Sequence, residues 1–115
     1  MGLVEEFNDY RSKMNDKILS GQNKTIKRIF NLDTNTFSDG KVDKKSKEMI
    51  GLACSMVLRC DDCVRYHLTV CHELGMTKDE IEEVFSIATL IGGTIVIPHL
   101  RRAHEFWEEL DAQNV

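Results

Sequence analysis

The chain has 115 residues, a length that fits one domain and one site per chain. Apolar residues at 42% and charged residues at 30% exclude disorder as the default. Fifteen Lys and Arg against nineteen Asp and Glu, with a net charge of -4, lack the basic surplus that binding to a phosphate backbone requires, so no nucleic-acid partner is expected.

The opening Met1-Gly2-Leu3-Val4-Glu5-Glu6 places acid where a secretory signal carries base, and Glu6 stands where myristoylation needs Ser or Thr. A cytoplasmic protein without a lipid anchor is expected. Residues 3 to 19 carry Val4, Phe7, Tyr10, Met14 and Ile18 at helical spacing, opposite Glu5, Asp9, Lys13 and Asp16. That pattern predicts an amphipathic helix closed by Ser20-Gly21. A shorter helix is expected from residue 24 to about 32, then a loop over 33–41 containing Gly40. Asp33 and Asn35 give that loop a superficial likeness to a calcium loop, which Phe37 and Ser38 break.

From Asp43 a helix presents Met49, Ile50, Ala53, Met56 and Val57 on one side as core. A turn near residues 59–62 separates it from the next helix, which ends at Gly75, a residue that takes positive φ readily. Thr77-Lys78-Asp79-Glu80 reads as a capping box that opens a helix buried through Ile81, Val84, Phe85, Ala88 and Ile91. The longest apolar stretch, residues 84–97, is broken by Gly92-Gly93 and is shorter than the roughly 18–20 residues needed to span a bilayer. It is expected as buried core, not as a membrane segment. The last helix has the stripe Ala103, Phe106, Trp107 and Leu110, and the single proline, Pro98, belongs in its first turn or kinks it. With no partnered strand in view, the class is all-α and the chain one domain over 1–115.

Four cysteines stand at 54, 60, 63 and 71, and Cys60-Asp61-Asp62-Cys63 is a C-x-x-C. His67 follows Cys63 by four residues, and at about 100° per residue Cys60, Cys63 and His67 share one helical face. An imidazole one turn from a thiol takes its proton or stabilises its thiolate, and a nearby helix start favours the thiolate further. Three readings fit this pattern. The preferred one is a redox dithiol that closes and reopens as a disulfide. The second is a zinc site of Cys60, Cys63, His67 and Cys71, opposed by the difficulty of surrounding a metal from one continuous helix; no metal is assigned. The third is structural, with cysteines as small buried hydrophobes, and it is preferred for Cys54 and Cys71 taken singly.

Glu48, eleven intervening residues, and then Cys60-x-x-Cys63-x-x-x-His67 resemble the E-x11-C-x-x-C-x3-H signature of AhpD-like alkylhydroperoxidases within the carboxymuconolactone decarboxylase superfamily. The segments Lys47 to Ala53, Cys63 to His67 and Gly75 to Val84, with Gly92-Gly93 beyond them, share the family's texture, and the likeness covers roughly residues 40 to 110. The resemblance implies a bundle of about six helices, with the dithiol at a helix start, assembled as a homo-trimer or hexamer. It implies a peroxide as substrate, with Cys63 attacking the O–O bond and Cys60 resolving the sulfenic acid as a disulfide. His67 is implied as the base and Glu48 as the group that orients it or relays its proton. No tightly bound cofactor is implied; the reductant is a dihydrolipoyl group on a partner protein. One departure stands out: Asp62 occupies the place of a His common in these enzymes, and its negative charge opposes the thiolate, so a disulfide oxidoreductase acting on another disulfide or electrophile stands beside the peroxidase as the expected activity.

Two other classes compete. One is the non-redox lactone decarboxylase of the same superfamily, whose members generally lack the C-x-x-C; the other is a non-catalytic assembly module with structural cysteines. His99, Arg101, Arg102 and His104 read either as an anion-binding cluster for a carboxylate substrate or, preferably, as a solvated or subunit-contact face.

Overall fold

The computed structural model of the chain describes residues 2–113. Six α-helices and one 3-10 turn make up the regular structure, and no strand occurs among the described residues. The all-α class and the helix count agree with the sequence reading. The chain divides between Lys44 and Lys45 into two compact units.

The first unit holds α1 (Leu3–Leu19) and α2 (Lys24–Thr36), which pack on each other. Asn23 starts α2 by accepting the Ile26 N–H at 3.0 Å, satisfying one of the donors that a helix start leaves open. α2 runs on past residue 32, through the stretch expected as loop. Its threonines explain why: Thr34 and Thr36 turn their hydroxyls back to the carbonyls of Phe30 and Leu32, so this polar run meets its own hydrogen-bonding needs inside the helix. The loop proper is confined to residues 37–43.

The second unit holds α3 (Lys44–Val57) from its second residue onward, α4 (Asp61–Glu73), α5 (Lys78–Gly92), the 3-10 turn Thr94–Val96 and α6 (Ile97–Ala112). Its core is built from Leu52 and Met56 of α3, Leu68 of α4, Ile81 of α5 and Phe106 of α6, all at or near zero exposure. The capping box forms as read: Glu80 N–H donates to Thr77 Oγ1 at 3.2 Å while Thr77 N–H donates to Glu80 Oε1 at 3.0 Å. Residues 94–97, which alone resemble a strand, instead turn through the 3-10 segment into α6, with Pro98 in the first turn where its missing N–H costs nothing.

α4 and α6 are joined along their length. Asp61 meets His99 and Arg102, the Arg65 guanidinium lies over the Phe106 ring at 5.6 Å, and His72 meets the Trp107 edge at 5.0 Å. The partners advance together along both helices, so α4 and α6 run in the same direction.

Two expectations about burial fail. Ile50 and Ile91 are 58% and 70% exposed, and Leu90, in the middle of the longest apolar stretch, is 85% exposed. α5 is apolar on more than one side, and at 3.6 residues per turn a single chain covers only the side carrying Ile81, Phe85 and Ala88.

Candidate functional site

α3 ends in a Schellman turn. The Cys60 N–H donates to the Ser55 carbonyl at 3.0 Å and the Arg59 N–H to that of Met56, with Arg59 at φ 61°. The same device ends α4 at Gly75, φ 83°, where glycine adopts the left-handed conformation without penalty. At Arg59 a Cβ makes that conformation cost roughly 1–2 kcal/mol, and the turn it enforces delivers Cys60 to the start of α4.

Cys60 is the N-cap of α4. Its Sγ accepts the Cys63 N–H at 3.3 Å, and Cys60 and Cys63 form a disulfide across a Cα–Cα distance of 5.3 Å. The expected common face is therefore achieved with Cys60 just outside the helix and Cys63 and His67 inside it. Cys63 is exposed, whereas Cys60 is half-buried.

His67 is buried one turn beyond Cys63. Residues four apart on a helix share one face, so His67 stands on the face that carries Cys63. Its Nδ1 lies 2.7 Å from Oε1 of Glu48, and Glu48, from α3, is 0% exposed. A solvated helix carboxylate is thus excluded for Glu48. A carboxylate at this distance needs a proton on Nδ1, so Nδ1–H donates to Glu48 and Nε2 is the basic nitrogen of the neutral ring. This is the arrangement in which a carboxylate orients an imidazole and stabilises the imidazolium it becomes.

The α6 histidines and arginines do not gather into an anion pocket. His99 Nδ1 and Arg102 Nε lie 2.8 Å and 2.9 Å from the two carboxylate oxygens of Asp61, between the cysteines. His104 faces Glu108 and Glu82 at 3.3 Å and 3.8 Å. For Asp61, burial works to raise the pKa, but the hydrogen bonds from His99 and Arg102 and the attraction of both together outweigh it and hold the carboxyl below its ordinary value. Asp62, by contrast, is exposed. The acidic residue at the helix start was legible in the sequence; its partners, 38 and 41 residues away, were not.

Cys71 is fully buried and fits the structural reading, but Cys54 does not, being exposed. Cys54 lines a groove of about 360 Å³ between α3 and α5 with Val57, Leu58, Ile87 and Ile91. Among the described residues no three His, Cys, Asp or Glu side chains converge as a metal requires, and no helix is long and apolar enough to cross a membrane.

The profile of the carboxymuconolactone decarboxylase family matches residues 24–106. An uncharacterised protein of the cox locus of Paracoccus denitrificans is 28% identical over 75 residues, 65% of this chain and 68% of its own. An uncharacterised protein of Cupriavidus necator is 28% identical over 74 residues, 64% of this chain and 66% of its own. Among solved structures, a carboxymuconolactone decarboxylase family protein of Thermotoga maritima, for which involvement in an antioxidative response has been suggested, superposes with a TM-score of 0.90 at 49% identity, covering 95% of this chain and 92% of that one. A family protein from Legionella pneumophila, at 23% identity and a TM-score of 0.75 over 93% of this chain and 92% of its own, shares the fold.

Proposed function

The chain belongs to the carboxymuconolactone decarboxylase family, and from that premise we propose that it is a thiol-dependent hydroperoxidase whose reacting pair is Cys60 and Cys63. The observation that carries this reading is the disulfide at the start of α4, one turn from a buried His67–Glu48 pair. The antioxidative role suggested for the Thermotoga maritima relative points the same way.

In the reduced protein, Nε2 of His67 takes the Cys63 thiol proton, and the imidazolium is stabilised by Glu48 through Nδ1–H. The exposed Cys63 thiolate attacks the outer oxygen of a hydroperoxide. The O–O bond breaks, the alcohol leaves with the proton returned from His67, and Cys63 becomes a sulfenic acid. Cys60 attacks that sulfur, water leaves, and the disulfide closes. A dithiol donor, of which a dihydrolipoyl group on a partner protein is the chemical class proposed, then attacks Cys63 as the accessible sulfur. Cys60 departs as a thiolate at the N-cap, where the Cys63 N–H and the helix dipole favour a negative sulfur. The second donor thiol displaces Cys63, and the cycle has moved two electrons and two protons from donor to peroxide, giving alcohol and water.

The same reading places the protein in the cytoplasm, where donors keep dithiols reduced, and assembles it as a homo-trimer or hexamer. Exposed Ile87, Leu90 and Ile91 on α5, with Leu58 just after α3, support assembly, because apolar groups left bare on one chain are ordinarily covered by another.

The test is free-thiol titration before and after one equivalent of hydroperoxide. The wild-type protein is expected to lose two thiols per chain. Cys60→Ser is expected to stop at a Cys63 sulfenic acid that dimedone captures, and Cys63→Ser to lose none. No thiol loss in the wild type, or a loss that survives Cys63→Ser, would overturn the proposal and bring forward the family's lactone chemistry.

A further inference from the structure

The C-x-x-C of this chain encloses two carboxylates, Asp61 and Asp62. Two negative charges beside a dithiol oppose formation of the thiolate on which its chemistry depends. The two carboxylates are treated differently by the fold. Asp62 points into solvent, while Asp61 is held on one oxygen by His99 Nδ1 at 2.8 Å and on the other by Arg102 Nε at 2.9 Å, with Arg102 and His99 within 3.3 Å of each other. Asp61 is the first residue of α4, directly after the N-cap cysteine. The grip therefore acts on the peptide that links Cys60 to its helix.

We infer that His99 and Arg102 of α6 are positioning residues of the dithiol: through Asp61 they anchor the turn carrying Cys60 and Cys63, and they cancel the carboxylate charge that would otherwise disfavour the Cys63 thiolate. The inference rests on Cys60 and Cys63 being the reacting pair. It adds His99 and Arg102 on α6 to the charged and titratable groups around that pair, which are Arg59 directly before Cys60, Asp61, Asp62, Arg65 and His67 on α4, and Glu48 on α3. A tie made only for packing would not need to cover both oxygens of a carboxylate with cationic or ionisable donors. A tie made to neutralise charge does, and the guanidinium, charged at every accessible pH, is the group suited to it.

The two roles are separable because neutralising either partner weakens the same tie but changes the local charge in opposite directions. Asp61→Asn keeps the shape and an acceptor oxygen and leaves Arg102 as a net positive charge beside the cysteines. Arg102→Gln leaves Asp61 as a net negative one. Arg102 is 45% exposed along its side chain, so its replacement leaves the core intact.

The measurement is the pH dependence of Cys63 alkylation by iodoacetamide in the fully reduced chain, read on the Cys63 peptide by mass spectrometry, which reports the apparent pKa of that thiol without contribution from Cys54 or Cys71. Asp61→Asn is expected to lower it by about half a unit and Arg102→Gln to raise it by about as much, the size of effect one charge exerts across a partly solvated helix end. Arg102→Lys, which keeps the charge and loses the planar fork, is expected to return it to within about 0.2 unit of wild type. Shifts of the same sign in Asp61→Asn and Arg102→Gln, or no shift beyond about 0.2 unit in either, would reduce the clamp to a packing contact and overturn the inference. Failure of the peroxidase reading is seen elsewhere, as wild-type thiols that survive hydroperoxide, so the two outcomes cannot be confused.

Discussion

Replacing Glu48 by glutamine isolates what its charge contributes. The carboxylate is fully buried and lies 2.7 Å from His67 Nδ1. A hydrogen bond to a charged group contributes about 1.5–3 kcal/mol, against about 0.5–1.5 kcal/mol between neutral partners. Glutamine preserves the acceptor oxygen and nearly the same volume, so the neutral imidazole keeps its orientation. In the proposed reaction the imidazolium that forms as Cys63 yields its proton then loses about 1–1.5 kcal/mol of stabilisation, and Cys63 is expected to react roughly tenfold more slowly near neutral pH. Glu48→Ala removes the acceptor altogether, leaving a buried N–H beside a void at a cost of about 3 kcal/mol or more. At about 4 °C per kcal/mol for a chain of this size, its Tm falls by more than 10 °C. The assay is the second-order rate of Cys63 alkylation at pH 7, with Tm recorded for both variants. A Glu48→Gln rate within twofold of wild type, alongside a large Tm loss in Glu48→Ala, would show that Glu48 supports the fold and not the thiolate, and would refute the role argued for it.

Two further outcomes follow from particular contacts. Because the folded-state pKa of Asp61 lies below its ordinary 3.8, its contribution to stability is fully present above that value and is lost as pH falls through the lowered pKa. The denaturant midpoint of wild type should therefore exceed that of Asp61→Asn at pH 5, and the gap should narrow as pH is lowered below 3.8; a gap that stays constant to pH 2.5 would contradict the ion-pair assignment. A Cβ on Gly92 would collide with Cγ2 of the fully buried Val96 and touch Val57, and valine is too stiff to move aside, so Gly92→Ala should destabilise by about 1–3 kcal/mol in chemical unfolding. An unchanged midpoint would show that the end of α5 adjusts without cost.

The helices and the spacing of the side chains along each of them are legible without tertiary structure, because both depend on residues three or four apart. The capping box at Thr77, the stop at Gly75, the place of Pro98 and the Cys60, Cys63 and His67 spacing are all local, and all are as read. Where local signals conflicted, the reading failed. The polar run after residue 32 has a loop's composition but its threonines bond back to the helix, and the α5 stretch has a core's composition although one chain covers only one of its sides. Glu48 enters the site by resemblance alone, since nothing in a lone helix carboxylate announces burial, and its contact with His67 across 19 residues is decided by how α3 packs on α4. The Asp61 clamp carried no such signal. His99 and Arg102 look like any charged helix face in sequence, and only the parallel packing of α6 on α4 brings them onto Asp61, one of the two carboxylates that stand between the cysteines. Pairings at long sequence separation are decided by how the helices pack, and that is set by the core as a whole, not by any pattern legible within the segments it brings together.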